Sequence, residues 1–126
     1  MSQVLVIEAD QVLAENLKLA LRRAGHKAIW HQDLQAAIES VDEDSPEVIV
    51  MDLITAGHSG IEFLYELRSY SEWQSLPVVL YSSLAPQELL GLDQALEDLD
   101  ISAFHYKPKS TLAEVISSVN VLAVRA

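Results

Sequence analysis

Hydrophobic residues recur along this chain in two alternating patterns. Short apolar runs rich in β-branched residues are typical of buried strands, and the segments between them carry apolar residues at helical spacing. The strand candidates are Val4–Ile7, Lys27–His31, Val48–Met51, Leu76–Ser83 and Ser102–Tyr106. A helix candidate follows each of them, so the pattern predicts five strand–helix units joined by short links.

Several helix boundaries are marked by residues that favour helix ends. Gly25 stands where a C-terminal cap is expected, and Pro86 suits the first turn of the fourth helix. The second helix is short, over Asp33–Val41, and the acidic segment Asp42–Pro46 is expected to form the turn after it. Capping boxes open the third and fifth helices: Ser59 with Glu62, and Thr111 with Glu114.

Strict alternation of helices with nearly all-apolar strands predicts a parallel sheet covered by helices on both faces. The chain has 126 residues, and we expect one domain over residues 1–126. Its net charge of -11 argues against nucleic acid or an anionic membrane as a direct partner, because both need a basic surface. The sequence has no cysteine, no signal-peptide pattern and no apolar run of membrane-spanning length, so we expect a cytoplasmic protein.

Polar and charged residues follow the apolar part of four strands. Because the carboxyl ends of parallel strands meet at one edge of a sheet, ligands bind there. Carboxylates can hold a divalent cation such as Mg²⁺, and a carboxylate can attack phosphorus. A hydroxyl and an ammonium can then hold the oxygens of the transferred group. The residues concerned are Glu8-Ala9-Asp10 after the first strand, Asp52 after the third, Ser82-Ser83 ending the fourth and Lys107-Pro108 after the fifth.

These residues, in this order, resemble the receiver domain of two-component response regulators. The matching stretches are VIVMDLITAGHSG around Asp52, PVVLYSS at the fourth strand, and Lys107-Pro108 after the fifth. The resemblance covers nearly the whole chain. It implies a doubly wound, flavodoxin-like α/β fold, in which a five-stranded parallel sheet of order 2-1-3-4-5 is the middle of three layers.

The resemblance also implies a role for each matching residue. Asp52 would accept a phosphoryl group, and Gly60 would open the third helix. Ser82 would sense the phosphoryl group, Phe104 would act as a switch aromatic, and Lys107 would precede a cis proline. We expect Lys107 within salt-bridge reach of Asp52, in a half-exposed pair of the kind that adds only about 0–1 kcal/mol to stability. A magnesium ion would be held by Glu8, Asp52 and the backbone carbonyl of Ile54.

The chain departs from the family pattern after the first strand. Receivers carry two adjacent acids there, the second of them a metal ligand, and here the pair reads Glu8-Ala9. The longer Glu8 side chain can reach the ion itself, and Asp10 is either a further ligand or a helix N-cap. Because Mg²⁺ keeps several waters, one missing carboxylate is expected to weaken its binding without abolishing it. Ala56 also stands where the family has a proline.

Three classes of function stay open at this level. The first is a signalling switch, in which a phosphoryl group on Asp52 changes a protein-binding face formed by the fourth helix, fifth strand and fifth helix. The second is a binding module that needs no phosphate, which Ala9 favours. The third is a phosphatase with an aspartyl nucleophile, disfavoured because Ile54 stands where such enzymes commonly carry a second aspartate. The resemblance favours the first, with no enzyme activity beyond the domain's own phosphorylation and dephosphorylation.

The partners that the resemblance implies are proteins. A sensor histidine kinase or a histidine phosphotransfer protein would act upstream, and an output protein downstream. Homodimerisation through the face of the fourth and fifth helices is common in the family. The chain is expected to be a stand-alone regulator, a phosphotransfer intermediate or one domain of a longer protein.

Overall fold

A computed structural model of the protein describes residues 2–55, 58–85, 87 and 93–124. Five parallel strands form its main sheet: β1 (Gln3–Ile7), β2 (Lys27–His31), β3 (Val48–Met51), β4 (Val78–Ser82) and β5 (Ala103–Tyr106). Their order is β2-β1-β3-β4-β5, and every neighbouring pair is parallel. The predicted five-stranded sheet and its 2-1-3-4-5 order are confirmed.

A helix follows each strand along the chain. The helices are α1 (Gln11–Arg23), α2 (Leu34–Asp44), α3 (Gly60–Ser69), α4 (Asp93–Asp98 in the described residues) and α5 (Leu112–Val124). Short 3₁₀ turns lie at Ser71–Trp73 and Lys107–Lys109. A two-stranded antiparallel ribbon, Ile54–Thr55 with His58–Ser59, lies between β3 and α3 and was not predicted.

Alternate residues of the strands pack on opposite faces of the sheet. In β1, Leu5 and Ile7 belong to a core cluster that includes residues of α2 and α3. Val4 and Val6 belong to a second cluster, which includes residues of α1 and α5. Helices therefore cover both faces. This confirms the covered parallel sheet that the nearly all-apolar strands predict, and the doubly wound, three-layer architecture that the resemblance implies.

Two of the predicted helix ends are present as expected. Gly25 has φ +93, and the backbone N–H groups of Gly25 and His26 donate to the carbonyls of Arg22 and Leu21. This is the pattern of a glycine-terminated helix, which closes α1. At α5, Thr111 and Glu114 cap each other's backbone N–H groups at 3.1 and 3.2 Å. Pro86 and the side chain of Ser59 lie outside the part of the chain that the structure describes.

The prediction for the end of α2 was wrong. The helix continues through Asp44 instead of ending at Val41, and Ser45 follows it in the left-handed region at φ 48. The buried Ser40 hydroxyl donates to the Asp44 carboxylate at 2.6 Å, one turn further along the helix. This contact favours the helical conformation of Asp42–Asp44, although the acidic composition of that segment alone indicates a turn.

Gly60 allows α3 to begin close against the loop after β3. A Cβ atom at Gly60 would lie 2.9 Å from the backbone of Leu53 and from the Met51 side chain. The Gly60 N–H donates to the Leu53 carbonyl at 2.7 Å. Only glycine therefore fits without a shift of the backbone that carries Asp52. In the described residues, no helix is both long and apolar enough to cross a membrane.

Candidate functional site

Four polar side chains meet at the carboxyl edge of the sheet, where the chain leaves each strand. Glu8 follows β1, Asp52 follows β3, Ser82 ends β4 and Lys107 follows β5. Since β3 lies between β1 and β4, Asp52 is at the centre of the group. The relative exposures are 3% for Glu8, 4% for Asp52 and 0% for Ser82. Their hydrogen-bond partners are therefore protein groups rather than bulk water.

Both oxygens of the Asp52 carboxylate accept hydrogen bonds. Oδ1 accepts from the Ser82 hydroxyl at 2.7 Å and from the Ile54 backbone N–H at 3.1 Å. Oδ2 accepts from the Lys107 ammonium at 2.7 Å. A buried carboxylate needs such partners, because an unpaired buried charge is costly. The Ser82 oxygen in turn accepts from the Leu84 backbone N–H at 3.2 Å, which links Asp52 to the segment after β4.

Lys107 forms a bridge between two carboxylates. Its Nζ lies 2.7 Å from Glu8 Oε1 and 2.7 Å from Asp52 Oδ2, with 18% of its side chain exposed. It also lies 5.7 Å from the centre of the buried Tyr81 ring. Burial by itself would lower the pKa of Lys107, but its hydrogen bonds to Asp52 and Glu8 raise that pKa above the ordinary value. The expectation of a half-exposed pair was wrong, because both carboxylates are buried.

Glu8 is held at both oxygens. Oε1 accepts from Lys107, and Oε2 accepts from the backbone N–H of Asp10 at 3.0 Å. The exposed side chain of Asp10 itself accepts from the Leu13 N–H at 3.1 Å and so caps α1. The sequence allows Asp10 to be either a metal ligand or a helix N-cap, and the structure shows the N-cap. Glu8 is the acid that this segment brings to Lys107.

Two residues at the end of β2 also contact the segment after β1. The Trp30 indole N–H donates to the Glu8 carbonyl at 2.8 Å, and the Gln32 amide donates to the Ala9 carbonyl at 2.8 Å. Sequence reasoning did not identify either residue. The available signal was their position, since β2 is the neighbour of β1 and a tryptophan at a strand end carries a donor that needs a partner.

The remaining predicted residues lie around this group. Phe104 pairs with Leu80 in the sheet and packs, half-buried, against the core cluster on the α2 and α3 side. Ile54 is 52% exposed and contacts Asp52 through its N–H, whereas the prediction concerned its carbonyl. The peptide bond before Pro108 is trans, so the cis bond that the resemblance implied is not observed.

The donor set fits a hard divalent cation. Glu8 and Asp52 both contact the Lys107 ammonium, so the two carboxylates are close enough to share one positively charged group. In the described residues there is no group of three or more acidic, histidine or cysteine side chains that could hold a metal. Mg²⁺ suits such a site, because it is usually bound by one or two carboxylates and keeps several waters.

The chain is thus a doubly wound α/β domain whose central strand leads to a buried aspartate that contacts a hydroxyl and a lysine. The model of the response regulator receiver domain family matches residues 4–117, and the chain belongs to this family. It is a receiver domain of the kind found in two-component response regulators. Such domains serve signalling rather than conventional catalysis.

Individual proteins agree with this assignment. The phosphate regulon transcriptional regulatory protein PhoB of Escherichia coli strain K12 is 26% identical over 115 residues, covering 90% of this chain and 49% of that protein. The chain spans about half the length of the curated relatives it matches. The structure of the Francisella response regulator 1452 receiver domain has a TM-score of 0.85 at 26% identity, covering 99% of this chain and 98% of that one. A sensor protein from Polaromonas sp. JS666, at 22% identity, shares the fold with a TM-score of 0.88 over 98% of this chain and 97% of that one.

Proposed function

We propose that this receiver domain accepts a phosphoryl group on Asp52 and that the modified form changes the affinity of a protein-binding face. The observation that carries the proposal is the setting of Asp52. It is a buried carboxylate with a neutral hydroxyl and an ammonium each 2.7 Å away, from Ser82 and Lys107. The same two groups can hold phosphoryl oxygens once the carboxylate has reacted.

The transfer is a displacement at phosphorus. A carboxylate oxygen of Asp52 attacks the phosphorus of a phosphohistidine on a sensor kinase or histidine phosphotransfer protein. The new oxygen–phosphorus bond forms as the nitrogen–phosphorus bond breaks, and the electron pair returns to the imidazole nitrogen. Mg²⁺ bound by Glu8, Asp52 and the Ile54 carbonyl would supply positive charge beside the phosphoryl oxygens. Lys107 supplies a second, fixed positive charge at the same edge.

Ser82 couples the modification to the rest of the domain. Its hydroxyl donates to Asp52 and accepts from the Leu84 N–H, so a turn of the hydroxyl toward a phosphoryl group would disturb both contacts. Leu84 and Phe104 pack, half-buried, against the same core cluster. A shift of Ser82 therefore favours a different packing of Phe104 and of the face formed by α4, β5 and α5, which is a shift between two populations.

This proposal treats residues 1–126 as one cytoplasmic domain whose partners are proteins. The sensor kinase or phosphotransfer protein lies upstream, an output protein lies downstream, and a second copy of the domain is a further candidate for the α4–β5–α5 face. The net charge of -11 supports partners other than nucleic acid.

The proposal is tested by incubation with Mg²⁺ and acetyl phosphate, followed by mass measurement of the intact protein. Wild type should gain one phosphoryl group, and Asp52→Asn should gain none. Asp10→Asn is the matched control, because asparagine also caps a helix and the Asp10 side chain lies outside the site, so it should react like wild type. A well-folded wild type that stays unmodified at high Mg²⁺ would instead support the phosphate-independent binding module.

A further inference from the structure

We propose that Trp30 and Gln32 are positioning residues, which fix the segment Glu8–Asp10 so that the Glu8 carboxylate faces Lys107 and Asp52. The part of the proposal that concerns Mg²⁺ rests on the proposed function above. The observation is that three backbone groups of this segment bond to the end of β2. The Glu8 N–H donates to the His31 carbonyl at 3.3 Å, and the Glu8 and Ala9 carbonyls accept from Trp30 and Gln32 at 2.8 Å each.

The first contact only extends the strand pairing, but the other two come from side chains. Between β1 and β2 the backbone pairing ends at Ile7 with His31. Beyond that point the chain leaves the strand and leads into α1 at Gln11, so the Glu8 and Ala9 carbonyls lie outside the register of β1 with β2. Trp30 and Gln32 capture these carbonyls in sequence and hold the turn against β2.

Trp30 is itself well fixed. Its ring packs, half-buried, against the core cluster on the α1 and α5 side, and Lys18 Nζ lies 5.8 Å from the ring centre. A rigid aromatic ring packed in this way places its N–H donor with little loss of side-chain freedom. Gln32 is exposed and has more rotamers, so its contribution is expected to be the smaller one.

The fixed backbone matters because this segment brings a single acid to the site. Ala9 carries no carboxylate, and Asp10 caps α1. A glutamate side chain has three rotatable bonds, so the direction of its carboxylate depends on how firmly its own backbone is held. Supporting contacts around a metal ligand commonly change metal affinity when they are removed. Loss of the Trp30 donor should therefore loosen Glu8 without removing any ligand.

The first experiment needs no metal. Amide hydrogen exchange of Asp10, whose N–H donates to Glu8 Oε2, should be measured in wild type, Trp30→Phe and Gln32→Met. Trp30→Phe keeps an aromatic ring and removes the donor, so exchange at Asp10 should be roughly fivefold faster, with a smaller change in Gln32→Met. The Leu5 amide reports global stability and should change little. Trp73→Phe is the matched control at the protein's other tryptophan and should leave Asp10 unchanged.

The second experiment measures phosphorylation by acetyl phosphate as a function of Mg²⁺ concentration. Trp30→Phe should raise the half-saturating Mg²⁺ concentration several-fold and leave the rate at saturating Mg²⁺ near wild type, because Asp52, Ser82 and Lys107 are intact. A purely structural role would instead lower the saturating rate, in proportion to the folded fraction.

The outcomes separate this inference from the proposed function. Asp10 exchange equal to wild type in both variants would overturn the inference, as would an unchanged half-saturating Mg²⁺ concentration in a protein that is phosphorylated. If wild type is not phosphorylated at all, the proposed function fails, and the exchange measurement alone decides on Trp30 and Gln32. If Trp30→Phe does not fold, Gln32→Met decides, since its site is exposed.

Discussion

Glu8 and Asp52 are equally buried, at 3% and 4% exposure, and share the same ammonium, yet they are held in different ways. Asp52 accepts a hydrogen bond from the hydroxyl of Ser82 on a different strand, and rotation of the Ser82 side chain would break this contact. Both carboxylates accept the backbone N–H two residues further along their own segment, Glu8 from Asp10 and Asp52 from Ile54, so the Ser82 hydroxyl is the contact that distinguishes Asp52. The two carboxylates thus divide the site into a half suited to switching, at Asp52, and a half suited to support, at Glu8.

Lys107 is common to both halves, and its loss should have the largest effect. Lys107→Ala leaves two buried carboxylates without their cation, and breaking a buried ion pair in this way costs about 3–5 kcal/mol of the free energy of unfolding. This replaces the value of about 0–1 kcal/mol that is typical of exposed pairs. Urea denaturation followed by circular dichroism measures the difference.

The matched control for this variant is Lys109→Ala, two residues further along and exposed, which should change stability by less than about 0.5 kcal/mol. Lys107→Met should be nearly as destabilising as Lys107→Ala, since the charge is lost in both. If Lys107→Ala proves as stable as Lys109→Ala, water reaches Glu8 and Asp52 easily, and the two halves are not coupled through Lys107.

The second prediction acts on the Asp52 half alone. Ser82→Ala removes the hydroxyl that donates to Asp52 and leaves the Leu84 N–H without its acceptor, at a cost of about 1–3 kcal/mol. Ser83→Ala is the control, because Ser83 is adjacent and exposed, and it should be nearly neutral. With beryllofluoride added as a phosphoryl mimic, amide shifts near Phe104 should be seen in Ser83→Ala and should be much smaller in Ser82→Ala. Equal shifts in the two variants would separate Ser82 from the switch.

The third prediction acts on the Glu8 half. Ala9→Asp adds a carboxylate beside the existing acids, so Mg²⁺ should bind several-fold more tightly in a calorimetric titration. Without metal, like-charge repulsion should make the variant slightly less stable than wild type. Ala9→Asn, which adds a similar volume without charge, should show neither change to the same degree. Unchanged Mg²⁺ affinity in Ala9→Asp would mean that Glu8 already meets the requirement for an acid from this segment.

The fold and the Asp52 half could be predicted from sequence because both depend on periodicity. Apolar runs fix the strands, and the residues that follow them must meet at one edge of a parallel sheet, which brings Ser82 and Lys107 to Asp52. No comparable rule fixes the direction of a side chain. Asp10 turns to its own helix because an orphan N–H is adjacent, and Lys107 reaches Glu8 as well as Asp52 because both carboxylates are buried and need a cation.

The errors away from the site have the same origin. The acidic run after Val41 lacks apolar periodicity, so sequence reasoning assigns it to a turn, whereas the Ser40–Asp44 contact keeps it helical. The short ribbon formed by Ile54–Thr55 and His58–Ser59 has only two residues in each strand, too few for any alternation to be visible. At the end of α2, a specific contact between neighbouring residues therefore outweighs a weak local preference.

The smallest predicted effect lies at alkaline pH, where Lys107 titrates. Because its folded-state pKa is raised, the folded protein holds this proton more tightly than the unfolded chain, so its contribution to stability is complete at neutral pH and is lost as pH rises above about 10. The pKa of Tyr81 is also raised: burial raises it most, the Lys107 charge lowers it and the Glu8 charge raises it. The contribution of Tyr81 to the free energy of unfolding is therefore lost over a similar range of alkaline pH. Unfolding free energy measured against pH should therefore fall less steeply in Lys107→Met than in Lys109→Met, which keeps the bridge.

The Lys107→Met substitution also removes the cation that favours the Tyr81 phenolate. Tyr81, followed by ring-carbon NMR shifts, should therefore titrate at higher pH in Lys107→Met than in Lys109→Met. Identical Tyr81 titrations in the two variants would show that the Lys107 charge does not reach the ring.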